Sequence, residues 1–182
     1  KHIENKTIVC VGDADKRFNE DGLRILRALR FASVLGFTPE SNTAESIRRN
    51  KSLLQNIAVE RIFDEFTKLI CGGSAADVIR EFYEVICEFI PEIRPMAGFK
   101  QNNKYHCYDV FLHTLTVLDN IEPEKNLRLA ALFHDIGKPH CYTEDENGTG
   151  HFYGHSKISS DMTRKILRRL KADNNTLETV QR

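Results

Sequence analysis

His134 and Asp135 stand side by side at the end of an apolar run, LRLAALFHDIGK, and this doublet is the sharpest chemical signal in the 182-residue chain. A helix that is apolar on most faces would bury the imidazole and the carboxylate, which costs free energy unless they are paired or bind a metal. His113 lies twenty-one positions earlier on a preceding helical stretch, so antiparallel packing of two helices would bring it beside the doublet. His151 and His155, flanked by Gly150 and Gly154, follow a loop that can fold back over the same place. Imidazole and carboxylate ligands suit magnesium or a first-row divalent metal, and such an ion acidifies a bound water and clamps a phosphate. A lone buried histidine is more often a hydrogen-bonded core residue; the composite HTL…AALFHDIGKP…GHFYGH is what favours a metal centre. His106 and His140 read as surface residues, and His2 carries no signal.

A second constellation lies near the start, in RFNEDGLRILRALRFASVLGF over residues 17–37. Apolar residues from Leu23 to Leu35 spread around nearly the whole circumference of a helix, the pattern of a helix buried on most sides. Glu20, Arg24 and Arg27 follow at i, i+4 and i+7, with Asp21 one step round the surface, so the charges form one ridge. The ridge either faces water or lines a cleft. Taken alone, Glu20 and Asp21 also fit a structural role at a helix N-terminus, with Arg24 paired to Glu20.

These residues must be held by helices. The chain reads as helical from an N-cap candidate at Asn19-Glu20-Asp21 to Gly36, then over 43–50, 58–71 and 74–89, with Gly36, the Gly72-Gly73 pair and Pro91 as stops. Gly98 and the polar QNNK run break the pattern at 96–104 and mark a domain boundary. Helices over 109–121 and 123–136 follow, then a polar turn at 144–150, a basic amphipathic helix over 156–171 and another from 174. Residues 7–11, TIVCV, form a short β-like run with no partner in an otherwise helical sequence. The expected fold is all-α, in two helical subdomains with a short N-terminal β remnant: residues 1–15 a remnant and linker, 16–98 one helical unit, 99–182 a second.

Composition sets the outer bounds. The chain is 41% hydrophobic with zero formal net charge, enough for a core, and no apolar run reaches the roughly 18 residues needed to span a bilayer. Five cysteines, Cys10, Cys71, Cys87, Cys107 and Cys141, lack any CxxC spacing and read as reduced thiols of a cytoplasmic protein without a secretory leader.

The segment HTL…FHDIGK resembles the HD phosphohydrolase superfamily, whose pattern is H…HD…D. His113, His134 and Asp135 match the first three positions, whereas the closing aspartate has no clear counterpart, Asp161 and Asp173 being poorly placed. The first half, RFNEDGLRILRALRFASVLGF with ERIFDEF downstream, resembles the neck and body helices of the bacterial tRNA nucleotidyltransferase (CCA-adding enzyme) and poly(A) polymerase family, and the match runs in family order from VGDADKRFNEDGLR through the HD segment. In that family E-D-x-x-R selects the nucleotide, which falls here on Glu20, Asp21 and Arg24. The resemblance implies that Asp21 and Arg24 hydrogen-bond the base edge of CTP or ATP while Glu20 holds Arg24. An acceptor carboxylate and a donor guanidinium on one helix face have the chemistry for that task. Glu60-Arg61 matches the family's E-R-I motif, although Ala58-Val59 depart from its usual opening.

The resemblance implies a part of a CCA-adding transferase that selects CTP and ATP for the tRNA 3′ end. The reaction needs a GS…DxD head carrying two carboxylates and magnesium, and no such pattern is present, so no catalytic residue is assigned and the expected piece does not transfer nucleotides by itself. Arg27 and Arg30 fit either triphosphate contact or helix bridging. Arg164, Lys165, Arg168 and Arg169 on the basic helix would suit tRNA phosphates, although a charge run is usually a solvated face. The alternative is a metal-dependent HD phosphohydrolase using magnesium, manganese or nickel on phosphate monoesters or 2′,3′-cyclic phosphates. Neither reading calls for a membrane.

Overall fold

Residues 4–102 and 108–181 are described in a computed structural model; His2, His106 and Cys107 lie outside them. The expected helix cap at Asn19-Glu20-Asp21 falls at the junction of two helices, the first of which the sequence did not announce. α1 (Ala14–Glu20) begins at Asp13, whose carboxylate accepts from the Lys16 N–H at 3.2 Å, and it ends at Asp21, whose backbone is extended. α2 (Leu23–Leu35) starts immediately afterwards and stops at Gly36 in the left-handed conformation, φ 65°. The break has a local cause. Asp21 Oδ1 accepts from the Leu23 N–H at 3.0 Å, and a Cβ on Gly22 would sit 3.0 Å from Leu53 Cβ and 3.1 Å from its carbonyl oxygen. The carboxylate therefore takes the first N–H of the second helix, and the absence of a Cβ at Gly22 lets the Leu53 backbone lie close.

The run at residues 7–11 also has a partner after all. β1 (Thr7–Ile8) pairs in parallel with β2 (Thr38–Pro39), Thr7 opposite Thr38 and Ile8 opposite Pro39. Thr38 donates to the Lys6 carbonyl at 3.0 Å and Glu40 to that of Ile8 at 2.9 Å, so Pro39 sits where no donor is needed, and a pairing two residues long leaves no periodic signal to read.

The bundle continues through α3 (Ser41–Arg49), α4 (Val59–Ile70), α5 (Ala75–Glu81) and α6 (Tyr83–Ile86). Glu40 caps α3, accepting from the Thr43 N–H at 3.1 Å. The expected helix over 74–89 breaks at Phe82 into α5 and α6, and 3₁₀ turns occupy Lys51–Asn56 and Pro91–Met96. α2 lies against α4, where Ser33 Oγ donates to the Leu69 carbonyl at 2.7 Å, and Ile25, Leu26, Leu29 and Ala32 are fully buried. The helix is not enclosed on most sides, however. Phe31, Val34 and Leu35 are 40%, 53% and 53% exposed, so its apolar circumference overstates its burial.

α7 (Val110–Asp119) opens on Asp109, which accepts from the Leu112 N–H at 2.7 Å and from the Gly98 N–H at 2.9 Å. α8 (Lys125–Phe133) packs on it, capped by Glu124, and a 3₁₀ turn at Lys138–His140 follows. A short hairpin, β3 (Thr143–Glu144) with β4 (Gly150–His151), leads to α9 (His155–Arg169) and α10 (Asn174–Val180), the latter capped by Asp173. One hydrophobic cluster runs from Phe18 in α1 to Val180 in α10. α4 packs on α8 and α5 on α7, with Tyr83 and Phe111 rings 5.8 Å apart, so the two helical units share a core. Among the described residues no helix is long and apolar enough to cross a membrane, and Cys10, Cys71, Cys87 and Cys141 are free thiols.

Candidate functional site

Two sites emerge, one at each end of the sequence. At the α1–α2 break, Glu20 Oε2 accepts from Arg17 Nη1 and Arg24 Nη1, both at 2.6 Å, and Arg24 Nη1 also donates to the Arg17 carbonyl at 2.8 Å. Glu20 is held below its ordinary pKa, chiefly by its hydrogen bond from Arg24. Arg17, Arg24 and Arg27 line a cavity of about 560 Å³, closed by Val9, Cys10, Phe18 and Phe31. Three guanidiniums against an aromatic and aliphatic wall suit a ligand with an anionic part and a flat part. Asp21 does not line this cavity: one oxygen caps α2 and the other faces Arg61 Nη2 at 3.4 Å. The sequence reading passed over Arg17, although it lies three residues before Glu20.

Arg30 divides from Arg27. It bridges α2 to α4, with Nε 2.9 Å from Glu65 Oε2, near enough for Coulombic attraction but out of alignment for a hydrogen bond. Arg27 stays in the cavity.

At the second site α7 and α8 bring His113, His134 and Asp135 together, their ligand atoms all within 4.8 Å of one another. Asp135 Oδ2 lies 3.1 Å from His134 Nε2 and 3.5 Å from His113 Nε2, while Oδ1 lies 3.6 Å from His155 Nε2. Asp135 is buried, but His134 sits at the rim with 35% of its side chain exposed. His134 Nδ1 is 2.6 Å from the Ala131 carbonyl and His155 Nδ1 is 2.8 Å from that of Phe152. A carbonyl only accepts, so each Nδ1 carries the proton and each Nε2 presents a lone pair to the carboxylate. Two acceptors 3.1 Å apart repel unless a proton or a metal cation lies between them. Burial works against a charged His134, but the Asp135 carboxylate outweighs it and raises the imidazole pKa. Burial likewise opposes the charge on Asp135, yet hydrogen bonds from His134 and Lys138 bring its pKa far below the carboxylate range. The donor set, two imidazoles and one carboxylate, fits a divalent ion.

His151 does not join this group. It sits on the hairpin, Nε2 3.0 Å from Asp145 Oδ2, with its ring stacked on Tyr153. Neither Asp161, exposed on α9, nor Asp173, the α10 cap and partner of Lys125, supplies the missing carboxylate. Beside the centre lies a cleft of about 340 Å³ with Ser156, Ser159, Ser160 and Thr163 of α9 along one wall. Lys138, 2.8 Å from Asp135 Oδ2, was also missed from sequence; its signal was its place three residues after Asp135.

The basic helix is only partly free. Arg169 grips Glu92 through two hydrogen bonds of 2.6 and 2.7 Å, and Lys171 reaches Glu60 at 2.5 Å, so both tie α9 to the first bundle. Arg164 donates to Gln181 at 3.0 Å, and Lys165 and Arg168 are exposed.

A helical bundle joined to a second helical unit with an H…HD centre defines an HD-domain protein with a further helical module. Residues 104–182 match the HD domain family, and residues 36–94 match the family described as "Probable RNA and SrmB- binding site of polymerase A". The A-adding tRNA nucleotidyltransferase of Deinococcus radiodurans is 33% identical over 171 residues, covering 87% of this chain and 39% of that protein. The CCA-adding enzyme of Anoxybacillus flavithermus is 36% identical over 133 residues, 72% of this chain and 32% of that one. The Bacillus stearothermophilus CCA-adding enzyme in complex with CTP superposes with a TM-score of 0.57 at 26% identity, over 97% of this chain and 37% of that structure. The chain belongs to the tRNA nucleotidyltransferase (CCA-adding enzyme) and poly(A) polymerase family. It spans about a third to two fifths of the length of these relatives.

Proposed function

We propose that this chain is the nucleotide-selecting and RNA-binding part of a CCA-adding tRNA nucleotidyltransferase, residues 16–98 acting as neck and body and 99–182 as the HD-type domain, with 1–15 leading in from a head. The observation that carries this reading is the cavity at the α1–α2 break, where Arg17, Arg24 and Arg27 face an aromatic wall and Glu20 fixes Arg24. Arg24 presents its remaining guanidinium N–H groups to the acceptor edge of cytosine or adenine, while Arg17 and Arg27 lie near enough to meet phosphates. Asp21 joins the base edge once its weak contact with Arg61 is released; its other oxygen keeps the helix cap. The tRNA partner is met by the exposed Lys165 and Arg168 and by the body helices. Nucleotidyl transfer itself is not assigned to these residues. Competition titration of the chain with the four ribonucleoside triphosphates tests the reading: CTP and ATP should bind ahead of GTP and UTP, and equal binding of all four would remove the selector.

The cluster of His113, His134 and Asp135 favours a second, additional activity, metal-dependent hydrolysis of phosphate monoesters or 2′,3′-cyclic phosphates. These three residues would hold the ion, which when bound supplies an acidified water and a clamp for phosphate. His155 Nε2 faces the other Asp135 oxygen at 3.6 Å, and the α9 hydroxyls line the neighbouring cleft. Phosphoesterase assays with added magnesium, manganese or nickel should show activity that a His134→Ala variant lacks.

A further inference from the structure

The geometry points to Lys138 as the residue that sets how tightly the His113, His134 and Asp135 centre takes a divalent cation, because its ammonium already occupies the oxygen on which both imidazoles converge. Lys138 Nζ is 2.8 Å from Asp135 Oδ2, the same atom that faces His134 Nε2 at 3.1 Å and His113 Nε2 at 3.5 Å. Nζ is also 2.8 Å from Gln101 Oε1 and 5.2 Å from the centre of the Phe152 ring, and its side chain is only 7% exposed. It therefore cannot turn into solvent without giving up buried contacts on three sides.

The backbone that carries it is equally fixed. The Gly137 N–H donates to Ser159 Oγ at 3.0 Å, and a Cβ on Gly137 would lie 2.7 Å from the Ser159 nitrogen, so the turn is pressed directly onto α9. An ion bonded to Asp135 Oδ2 at about 2.1 Å would lie within about 5 Å of the ammonium. At that range, shielded from solvent, two positive charges repel with little screening by salt. Asp135 is the one carboxylate of the cluster, and Lys138 has already neutralised it. The lysine thus acts through Asp135. It holds the carboxylate in place and weakens the centre for cations, so that occupancy depends on a high ion concentration or on an anionic ligand arriving with the ion.

This inference rests on the reading of the cluster as a metal centre, and cobalt titration of the full chain, followed by the visible absorption of the bound ion, separates the two. A His134→Ala variant that gives the wild-type spectrum and affinity would overturn the metal centre itself. With that centre standing, Lys138→Gln should bind cobalt at least about tenfold more tightly than wild type, whereas Lys138→Arg, which keeps the charge, should stay weak. Gln101→Glu leaves the lysine in place and gives the ammonium a carboxylate of its own; it should also tighten binding, and it decides the matter if Lys138→Gln does not fold. Equal or weaker binding by the folded charge-removing variant overturns the role of Lys138, and no cobalt spectrum in any variant overturns both.

Discussion

Arg24 is tethered to Glu20 across the break between α1 and α2, Nη1 to Oε2 at 2.6 Å, and the same oxygen takes Arg17. The contact spans two helices that meet at Asp21-Gly22, so the direction of the guanidinium depends on the angle of that joint. Both side chains remain accessible, Glu20 at 51% and Arg24 at 32%. Such an ion pair adds little stability and serves better to aim a side chain.

Glu20→Gln should therefore separate the two roles. The melting temperature should barely move, as for other exposed pairs, while CTP affinity should fall severalfold as Arg24 loses its anchor. A large loss of stability with unchanged CTP binding would make the pair structural.

Gly72 lies where α4 turns back against α2. A Cβ there would sit 2.1 Å from Ser33 Oγ and 2.6 Å from the Ser33 carbonyl carbon, whereas one on Gly73 would meet nothing within 4 Å. Urea unfolding should find Gly72→Ala destabilised by about 2 kcal/mol or more, in the range of an overpacked core, and Gly73→Ala nearly neutral.

The clamp between α9 and the first bundle should be sensitive to acid. Burial opposes the charge on Glu92, but the two hydrogen bonds from Arg169 outweigh it and hold the carboxyl below its ordinary pKa. A lowered folded-state pKa means that the unfolded chain takes up the proton first. The stabilisation is therefore fully present above the unfolded value, near pH 4.3, and is lost as the pH falls through the folded one. Arg169→Met should cost about 1–3 kcal/mol at pH 7, as for a hydrogen bond to a charged group. It should also flatten the acid limb of melting temperature against pH. Its tRNA affinity should match wild type, in contrast to Arg168→Ala.

What the sequence made legible was local and periodic. Helices α4, α7, α8 and α9 follow apolar repeats, α7 and α8 with carboxylate caps, and the HD doublet follows from two adjacent residues at the end of one such repeat. The pairing of β1 with β2 was not legible, because two residues carry no alternation. The break at Asp21-Gly22 was partly legible, because the polar run Asn19-Glu20-Asp21 interrupts the apolar period and reads as a helix cap, whereas the close approach of Leu53, thirty-one residues on, was not. Arg169 looked like its basic neighbours until Glu92, seventy-seven positions away, was placed opposite it. Lys138 was within reach of a turn argument, but its burial depends on Gln101 and Phe152 from other segments.

The central claim is that the cavity at the α1–α2 break reads a nucleotide base through Arg24. Chemical-shift mapping during CTP titration of the labelled chain tests it most directly. In wild type the perturbed amides should cluster at residues 17–31 around Arg24, and Arg24→Ala should weaken CTP binding at least about tenfold, as expected for a lost charge-assisted contact, while leaving the fold intact. Equal CTP affinity in the two proteins, or shifts centred elsewhere, would contradict it.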